Sequence, residues 1–315
     1  MNSGNFFEID IRTRKSFVNR NHYHDFSEIY YMAQGSCNYF IDNKIYSVMP
    51  HDIVFVQSGT IHKTVYRDGN PHKRILIGFS DDYIAPPLRE KVNEIFKNRF
   101  YRPSDSYFIE DIFKKLYTEY INGSDISHEL IFCYMTELFA YIARNVSSDG
   151  ESNNIIETNT AISEITKYIT ENYPQNITLS LLADMAGYSE DYFSKLFKAS
   201  TGFGYKEFIQ TVRIKAAKEM LAQSRDSVCK IAFRCGFSDS NYFSSVFKKE
   251  TGKPFITYLT DYRMDIAADL MVNTNDKSYT IAEKVGYSDA NYFSYVFKKR
   301  FGVSPSKYRT KYLQK

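Results

Sequence analysis

The chain has 315 residues, of which 43% are hydrophobic and 24% charged, and this balance excludes disorder as its main state. Its four cysteines (Cys37, Cys133, Cys229 and Cys235) form no CxxC pair, so neither a zinc ribbon nor a disulfide framework is indicated. No apolar run reaches the roughly 18 residues of a membrane span, and residues 1–15 lack the apolar core of a signal peptide. We therefore expect a cytoplasmic protein of two or three domains with no membrane partner.

The net charge of +3 is unevenly distributed along the chain. Residues 157–315 contain 23 Lys and Arg against 17 Asp and Glu, whereas the first 156 residues are slightly acidic. The last 24 residues contain seven basic residues and no acid. A basic C-terminal half indicates a polyanionic partner, with a merely solvated basic surface as the plainer alternative.

The first 80 residues contain five short apolar runs separated by turn signals, and such runs predict strands. The runs are Glu28–Tyr31, Cys37–Ile41, Lys44–Val48, Ile53–Val56 and Ile75–Phe79. Their length and spacing predict a small antiparallel barrel or sandwich.

Two amphipathic helices are predicted after the strands, over residues 109–122 and 128–145. One apolar face of the second helix comprises Ile131, Met135, Leu138, Phe139 and Ile142. These helices either cap the β-structure or form a dimer interface. Residues 148–156 are a polar linker, so we predict an N-terminal domain over 1–147, with helices at about 109–146, and a C-terminal domain over 157–315.

An internal repeat with a period near 50 residues dominates the C-terminal half. The sequences YSEDYFSKLFKASTG, FSDSNYFSSVFKKETG and YSDANYFSYVFKKRFG begin at Tyr188, Phe237 and Tyr287. Over 31 aligned positions the second and third copies share about half of their residues. The three units lie near residues 178–200, 227–249 and 278–299.

Each unit predicts a helix, a glycine turn and a second helix. Ser or Thr at 178, 227 and 278 is placed to cap the first helix, and Gly187, Gly236 or Gly286 ends it. Ser189, Ser238 or Ser288 is then placed to cap the second helix, whose Tyr-Phe pair and following Phe predict a buried stripe. This is the helix-turn-helix pattern, in which the second helix enters the major groove of DNA.

Polar and basic residues lie off the apolar stripe of each second helix. Short polar side chains suit base edges and lysines suit phosphates, a division that a purely architectural helical repeat does not need. The predicted DNA-binding residues are Asp191, Ser194, Lys195, Lys198, Asn241, Ser244, Ser245, Lys248, Lys249, Asn291, Ser294, Tyr295, Lys298 and Lys299.

A long helix is predicted between successive units, with Arg213 and Arg263 at matching places. A helix of constant length sets the distance between the second helices on either side of it. On one face of B-DNA that distance is about 34 Å, which is one helical turn. The long helices are therefore predicted to act as spacers.

The repeat resembles the C-terminal domain of the AraC/XylS family of bacterial transcription regulators. Unit three, IAEKVGYSDANYFSYVFKKRFGVSPSKYR, resembles the second unit of that family, and ITLSLLADMAGYSEDYFSKLFKASTGFGYKEF resembles its first. The family has two units, whereas this chain has three. The middle unit begins like a second unit and ends like a first one, so duplication of one linker and one unit explains the hybrid.

The N-terminal half resembles the cupin-type sensor domain of the same family. His22, His24, Glu28 and Gly35 match the first cupin motif, and Gly59 and His62 match part of the second. Gln57, His51 and Tyr66 depart from that second motif. By this resemblance His22, His24, Glu28 and His62 are effector-binding residues, with a metal site and plain structural histidines as the alternatives.

The resemblance implies an α+β chain of two domains, a cupin-like β-barrel with accessory helices followed by an all-α domain of helix-turn-helix units joined by long linker helices. It implies an activator-type regulator that binds double-stranded promoter DNA, responds to a small-molecule effector such as a carbohydrate, forms a homodimer, contacts RNA polymerase and needs no cofactor. The competing hypotheses are a metal-dependent cupin enzyme with a DNA-binding tail and a DNA-binding protein whose barrel only dimerises.

Overall fold

A computed structural model describes residues 6–14, 24–66, 72–145, 160–223 and 226–313. Contacts divide the chain into two compact units. The N-terminal unit extends to residue 172 and also includes residues 177–212, whereas the C-terminal unit comprises residues 173–176 and 213–315. The predicted linker at 148–156 lies outside the described residues. No helix in the described part of the chain is long and apolar enough to cross a membrane.

The described strands form two antiparallel sheets. They are β1 (Phe7–Arg14), β2 (Ser27–Gln34), β3 (Cys37–Ile41), β4 (Lys44–Val48), β5 (Ile53–Val56), β6 (His62–Tyr66), β7 (His72–Phe79) and β8 (Phe100–Tyr101). One sheet has the order β1-β7-β2-β5-β8 and the other the order β4-β3-β6. All five predicted strands are confirmed, while β1, β6 and β8 were not predicted.

The two faces of the larger sheet are buried differently. Alternate residues of β2, such as Tyr30 and Met32, pack together with Tyr39 and Ile41 of β3 in one cluster. The intervening residues, such as Ile29, pack against helices. Because successive side chains of a strand point to opposite faces, six consecutive residues of β2 are buried.

Three helices cover the outer face of the larger sheet: α1 (Arg89–Asn98), α2 (Ser106–Asn122) and α3 (Ser127–Asn145). The last two confirm the predicted helices. Met135, Leu138, Phe139 and Ile142 are fully buried and Ile131 nearly so, in the same cluster as β2 and β7. This face of α3 is therefore part of the core of its own chain, as expected if the helices cap the β-structure, and the dimer interface stays a prediction.

The rest of the described chain is helical and repeats the same succession of elements. The helices are α4 (Thr160–Asn172), α5 (Leu179–Ala186), α6 (Glu190–Thr201), α7 (Tyr205–Gln223), α8 (Val228–Arg234), α9 (Ser240–Thr251), α10 (Phe255–Asn273), α11 (Ser278–Lys284), α12 (Ala290–Phe301) and α13 (Pro305–Leu313). Helices α5–α6, α8–α9 and α11–α12 are the three predicted helix-turn-helix units, and α7 and α10 are the predicted linker helices.

Each linker helix supplies the core of the unit that follows it. Ile214, Ala217 and Leu221 of α7 pack with Ile231 and Phe243 of unit two. In the same way, residues from Met264 to Met271 of α10 pack with the buried residues of unit three. The structural repeat is therefore one long helix plus one helix-turn-helix unit.

Candidate nucleic-acid interface and effector site

The three second helices begin at a cap that lies three residues before a tyrosine. Ser189 Oγ accepts a hydrogen bond from the Tyr192 N–H at 3.4 Å, as predicted. In units two and three the caps are Asp239 and Asp289, which accept from the tyrosine N–H at 3.0 and 3.2 Å. The predicted caps Ser238 and Ser288 are wrong, because one extra residue separates serine from tyrosine in these units.

The predicted N-cap residue of the first helix is confirmed in units one and two but not in unit three. Thr178 and Ser227 accept from backbone N–H groups at 3.2 and 3.3 Å. Ser278 is instead the first residue of α11, and Lys277 stands at the cap without a side-chain bond, so that prediction is wrong. The turn glycines Gly187, Gly236 and Gly286 all have positive φ, as predicted.

The buried stripe of each second helix is narrower than predicted. Phe193 and Phe197 of α6 are fully buried, as are their counterparts in α9 and α12. The preceding tyrosines are not core residues, because Tyr192 is 53% exposed, Tyr242 50% and Tyr292 58%. Their N-terminal position on the helix turns them to the protein surface, so sequence reasoning missed three aromatic side chains of the candidate interface.

Most predicted DNA-binding residues lie on the exposed side of the second helices. The exposed members are Asp191, Lys195, Lys198, Asn241, Ser245, Lys248, Lys249, Asn291, Tyr295, Lys298 and Lys299. Ser194, Ser244 and Ser294 are half-buried. The hydroxyls of Ser244 and Ser294 donate to backbone carbonyls four residues earlier, at 2.8 Å, so these two serines retain only acceptor capacity for a ligand.

Not every basic residue near the candidate interface is available to a polyanion. Arg300 in the last turn of α12 binds Asp261 and Asp265 of α10, with nitrogen–oxygen distances of 2.7 and 2.6 Å. Arg309 of α13 donates to the carbonyls of Met271 and Asp276 at 2.9 and 2.6 Å. These arginines join helices within the C-terminal unit, which leaves Lys298 and Lys299 as the exposed cations of α12.

The linker arginines occupy equivalent sites in consecutive repeats. Arg213 of α7 lies over the Phe237 ring at 5.5 Å, and Arg263 of α10 lies over the Tyr287 ring at 5.7 Å. Each of these rings directly follows the turn glycine of the next unit. The matched contacts orient each linker helix against the turn that it precedes.

The predicted effector residues come together only in part. His24, Glu28 and His62 form a cluster whose ligand-type atoms all lie within 4.8 Å of one another, and we call it the His–Glu–His cluster. His22 lies outside the described residues. The His24 Nε2 is 3.2 Å and the His62 Nε2 is 3.9 Å from Glu28 Oε2, while the Tyr39 hydroxyl donates to Glu28 Oε1 at 3.2 Å.

Burial and mutual attraction act in opposite directions on the titration of this cluster. Burial lowers the pKa of His62, and attraction to Glu28 offsets this only in part. Burial acts to raise the pKa of Glu28, but the bond to His24 and the attraction to both histidines dominate, so that pKa is lowered. Glu28 is therefore ionised at neutral pH.

A separate groove of about 420 Å³ lies between the β3–β4 turn and α4. Its lining includes Asp42, Lys44, Glu164 and Glu171. His24, Glu28 and His62 do not line this groove. The cluster borders Tyr39, which is only 1% exposed and packs edge-on against the equally buried Tyr30, so buried side chains lie next to it.

Two family models match the chain. The helix-turn-helix domain model matches residues 182–254 and again 241–311, and the AraC-like ligand binding domain model matches residues 5–91. Together with the β-sheet unit and the repeated helix-turn-helix units, these matches define a transcription regulator with a ligand-binding domain. The chain belongs to the AraC family of transcription regulators.

The chain is also similar to proteins named as regulators. The HTH-type transcriptional activator RhaS of Escherichia fergusonii is 23% identical over 232 residues, which are 70% of this chain and 80% of RhaS. An uncharacterised HTH-type transcriptional regulator of Staphylococcus aureus is 24% identical over 221 residues, 67% of this chain, but the match spans only 28% of that relative. The solved C-terminal domain of the two-component response regulator yesN from Fusobacterium nucleatum is 35% identical, with a TM-score of 0.29, and the match covers 30% of this chain and 93% of that domain.

Proposed function

We propose that the chain binds double-stranded promoter DNA through the exposed side chains of α6, α9 and α12. The observation that supports this most is the repeated pairing of a buried phenylalanine stripe with an exposed face of polar residues and lysines. The polar residues near the helix start contact base edges, and the lysines near the helix end contact phosphates. The family assignment supports the same conclusion.

Asn241 and Asn291 are the residues proposed to contact bases most specifically. Both are exposed and directly precede the exposed tyrosine of their helix. An asparagine amide pairs with the N6 and N7 atoms of adenine, and such a contact contributes about 1–3 kcal/mol of discrimination. Asp191 occupies the same place in α6, where a carboxylate suits a cytosine N4 donor instead.

The two helix-turn-helix matches overlap in the middle unit, since residues 241–254 belong to both. Each match spans two units, which supports two-unit binding by units one and two, or by units two and three, as the alternative to binding by all three. Binding by all three units would cover about 30 base pairs with three successive major-groove contacts. The length of the protected region in a footprint distinguishes two-unit from three-unit binding.

The proposal also includes an effector held by the N-terminal unit, a homodimer and contact with RNA polymerase. The match to an AraC-like ligand binding domain supports the effector. A carbohydrate effector, the dimer and the polymerase contact remain predictions from the family resemblance.

Selection of binding sites from random DNA tests the proposal. The wild-type chain is expected to enrich a defined sequence, and Asn241→Ala with Asn291→Ala is expected to relax the preference at adenines within it. Lys230→Ala, an exposed lysine on the first helix of unit two, is the control that leaves the sequence preference unchanged. No enrichment by the wild-type chain, or an identical preference in the double variant, contradicts the proposed contacts.

A further inference from the structure

The hydrogen positions of the His–Glu–His cluster leave three electron-pair donors facing one another. His24 Nδ1 lies 2.7 Å from the Phe26 carbonyl oxygen, and His62 Nδ1 lies 2.9 Å from the Thr60 carbonyl oxygen. Because a carbonyl oxygen only accepts, both Nδ1 atoms carry the hydrogen, and in a neutral imidazole Nε2 then bears a lone pair. Both Nε2 atoms face Glu28 Oε2, so in the neutral form of both imidazoles three electron-pair donors surround one point, which is the arrangement that a metal ion binds.

The dimensions of the cluster suit a metal ion better than a single proton. An ion with ligand bonds of about 2.0–2.2 Å in tetrahedral geometry places its ligand atoms about 3.4 Å apart. The two distances to Glu28 Oε2, 3.2 and 3.9 Å, lie on either side of that value, and all ligand-type atoms of the three residues lie within 4.8 Å of one another, so a small inward shift of the histidines completes the site. A proton on one imidazole satisfies only one of the two Nε2 atoms, whereas a metal ion binds both.

The surroundings of the three side chains hold them in place. Each histidine donates its second ring N–H to a backbone carbonyl, and the Tyr39 hydroxyl donates to the other oxygen of Glu28. Such outer hydrogen bonds are typical of metal-ligating imidazoles and carboxylates. The His24 ring also stacks on the Phe26 ring, with centroids 3.9 Å apart.

The strands β3 and β6 carry Tyr39 and His62 on one face and contact the first helix-turn-helix unit through the other face. In β3, Tyr39 donates to Glu28, while the next residue, Phe40, packs against Phe203 and Phe208 with ring centroids 6.0 and 5.5 Å away. In β6, His62 belongs to the cluster, and the next residue, Lys63, lies 4.3 Å from the Phe203 ring centroid. Lys63 Nζ is also 3.4 Å from Glu207 Oε1.

Phe40 and Lys63 are direct partners in the register of β3 and β6. The sheet thus carries cluster residues on one face and residues that contact the first helix-turn-helix unit on the other. His62 and Lys63 are adjacent in β6, so a ligand of the cluster and a contact of the first helix-turn-helix unit share one stretch of backbone.

We propose that His24, Glu28 and His62 bind a divalent first-row transition-metal ion such as zinc, and that its binding is coupled through β3 and β6 to the first helix-turn-helix unit. The metal site does not depend on the proposed DNA-binding function. Its coupling deepens that function, because the ion acts on a unit proposed to bind DNA.

Zinc binding by the full chain, purified without a histidine tag and freed of metal, tests the site. Competition with a coloured chelator is expected to give one zinc ion per chain, and cobalt is expected to give the visible absorption of a site with nitrogen and oxygen ligands. His62→Ala and Glu28→Gln are expected to weaken zinc binding at least about 100-fold, since loss of an outer-shell partner alone costs about 10–100-fold.

His51→Asn is the matched control for these variants. His51 lies in the turn between β4 and β5, at a φ of 73° that asparagine tolerates, and its side chain hydrogen-bonds to Tyr31. This variant is expected to bind zinc as the wild-type chain does. If the wild-type chain binds no more zinc than His62→Ala does, the proposed site is wrong. Glu28→Gln preserves the size of the side chain, so a loss of zinc binding in this variant is not explained by misfolding.

Hydrogen exchange of the backbone amides in α6 and α7 tests the coupling. Zinc is expected to slow amide exchange around residues 197–208 in the wild-type chain. In Glu28→Gln it is expected to leave the exchange rates of the same amides unchanged. Zinc binding without any change in exchange overturns the coupling but leaves the site. A DNA mobility shift of the metal-free chain tests the proposed function separately from both outcomes.

Discussion

The first and third helix-turn-helix units share one sequence pattern but are supported by different parts of the chain. In unit one, Phe203 and Phe208 pack against Phe40 of the β3 strand, and Lys63 of β6 adds a contact to Glu207. In unit three, Arg300 binds Asp261 and Asp265 of the preceding linker helix. The comparison shows that the shared sequence pattern specifies the helix-turn-helix unit itself. The residues that differ between the units determine which part of the chain each unit packs against.

The two units also differ at the start of the second helix. Unit one has Ser189 as the cap and Asp191 before the exposed tyrosine, while unit three has Asp289 as the cap and Asn291 before the tyrosine. A carboxylate near the helix start is stabilised by the helix dipole in both units. Only in unit one does a carboxylate also occupy the position proposed to contact bases.

The largest expected effect is a loss of stability when the contact between β3 and unit one is removed. Phe40→Ala removes a fully buried ring that supports unit one, and the free energy of unfolding of the N-terminal unit is expected to fall by about 3–5 kcal/mol. Thermal unfolding measures the loss, and Phe233→Ala, which removes a 61% exposed ring, is the control with little effect. Equal melting temperatures for Phe40→Ala and the wild-type chain contradict the described packing.

A smaller effect is expected when the residues that distinguish the two second helices are exchanged. Asn291→Asp places a carboxylate where an amide is proposed to bind adenine, so affinity for the selected DNA site is expected to fall by about 1–3 kcal/mol. Asp191→Asn is expected to change the preferred base in the part of the site bound by unit one. Titrations of matched DNA sites measure both changes. If Asn291→Asp and the wild-type chain bind with equal affinity and preference, α12 does not contact bases through this residue.

The smallest expected effect concerns the cap of α12. Asp289→Ala removes the acceptor of the Asn291 and Tyr292 N–H groups and is expected to cost about 1 kcal/mol of stability. Ser288→Ala, one residue away, is expected to change stability by less than about 0.5 kcal/mol. Chemical denaturation compares the two variants. A larger loss for Ser288→Ala than for Asp289→Ala reverses the assignment of the cap.

Much of the fold is predictable because its signals are local. Turn residues bound the strands β2 to β5, and glycine with positive φ ends the first helix of every unit. The strand β6 was missed because its sequence, HKTVY, begins with three polar residues and contains no apolar run.

The candidate sites depend on contacts that no local pattern contains. The motif of His24 and Glu28 indicates a polar cluster, but only the fold adds Tyr39 and His62 from the smaller sheet to it and places Phe40 and Lys63 on the opposite face of that smaller sheet. Likewise, the aromatic stripe predicts a buried helix face but not its edge, and Tyr192, Tyr242 and Tyr292 therefore turned out to be exposed. The end of a stripe depends on how far the neighbouring helices cover it, which the periodicity of one helix does not contain.

The pairing of each linker helix with the unit that follows it bears on how a third unit arose. From Met264 onward, α10 supplies the core of unit three. At its start, Phe255 packs with Phe243 and Phe247 of unit two. An in-frame copy of about 50 residues therefore brings its own apolar contacts at both ends. Insertion of such a copy leaves no neighbouring unit with an exposed core. The chain is therefore built to tolerate a change in its number of units, and with that number the length of DNA that it is proposed to bind would change as well.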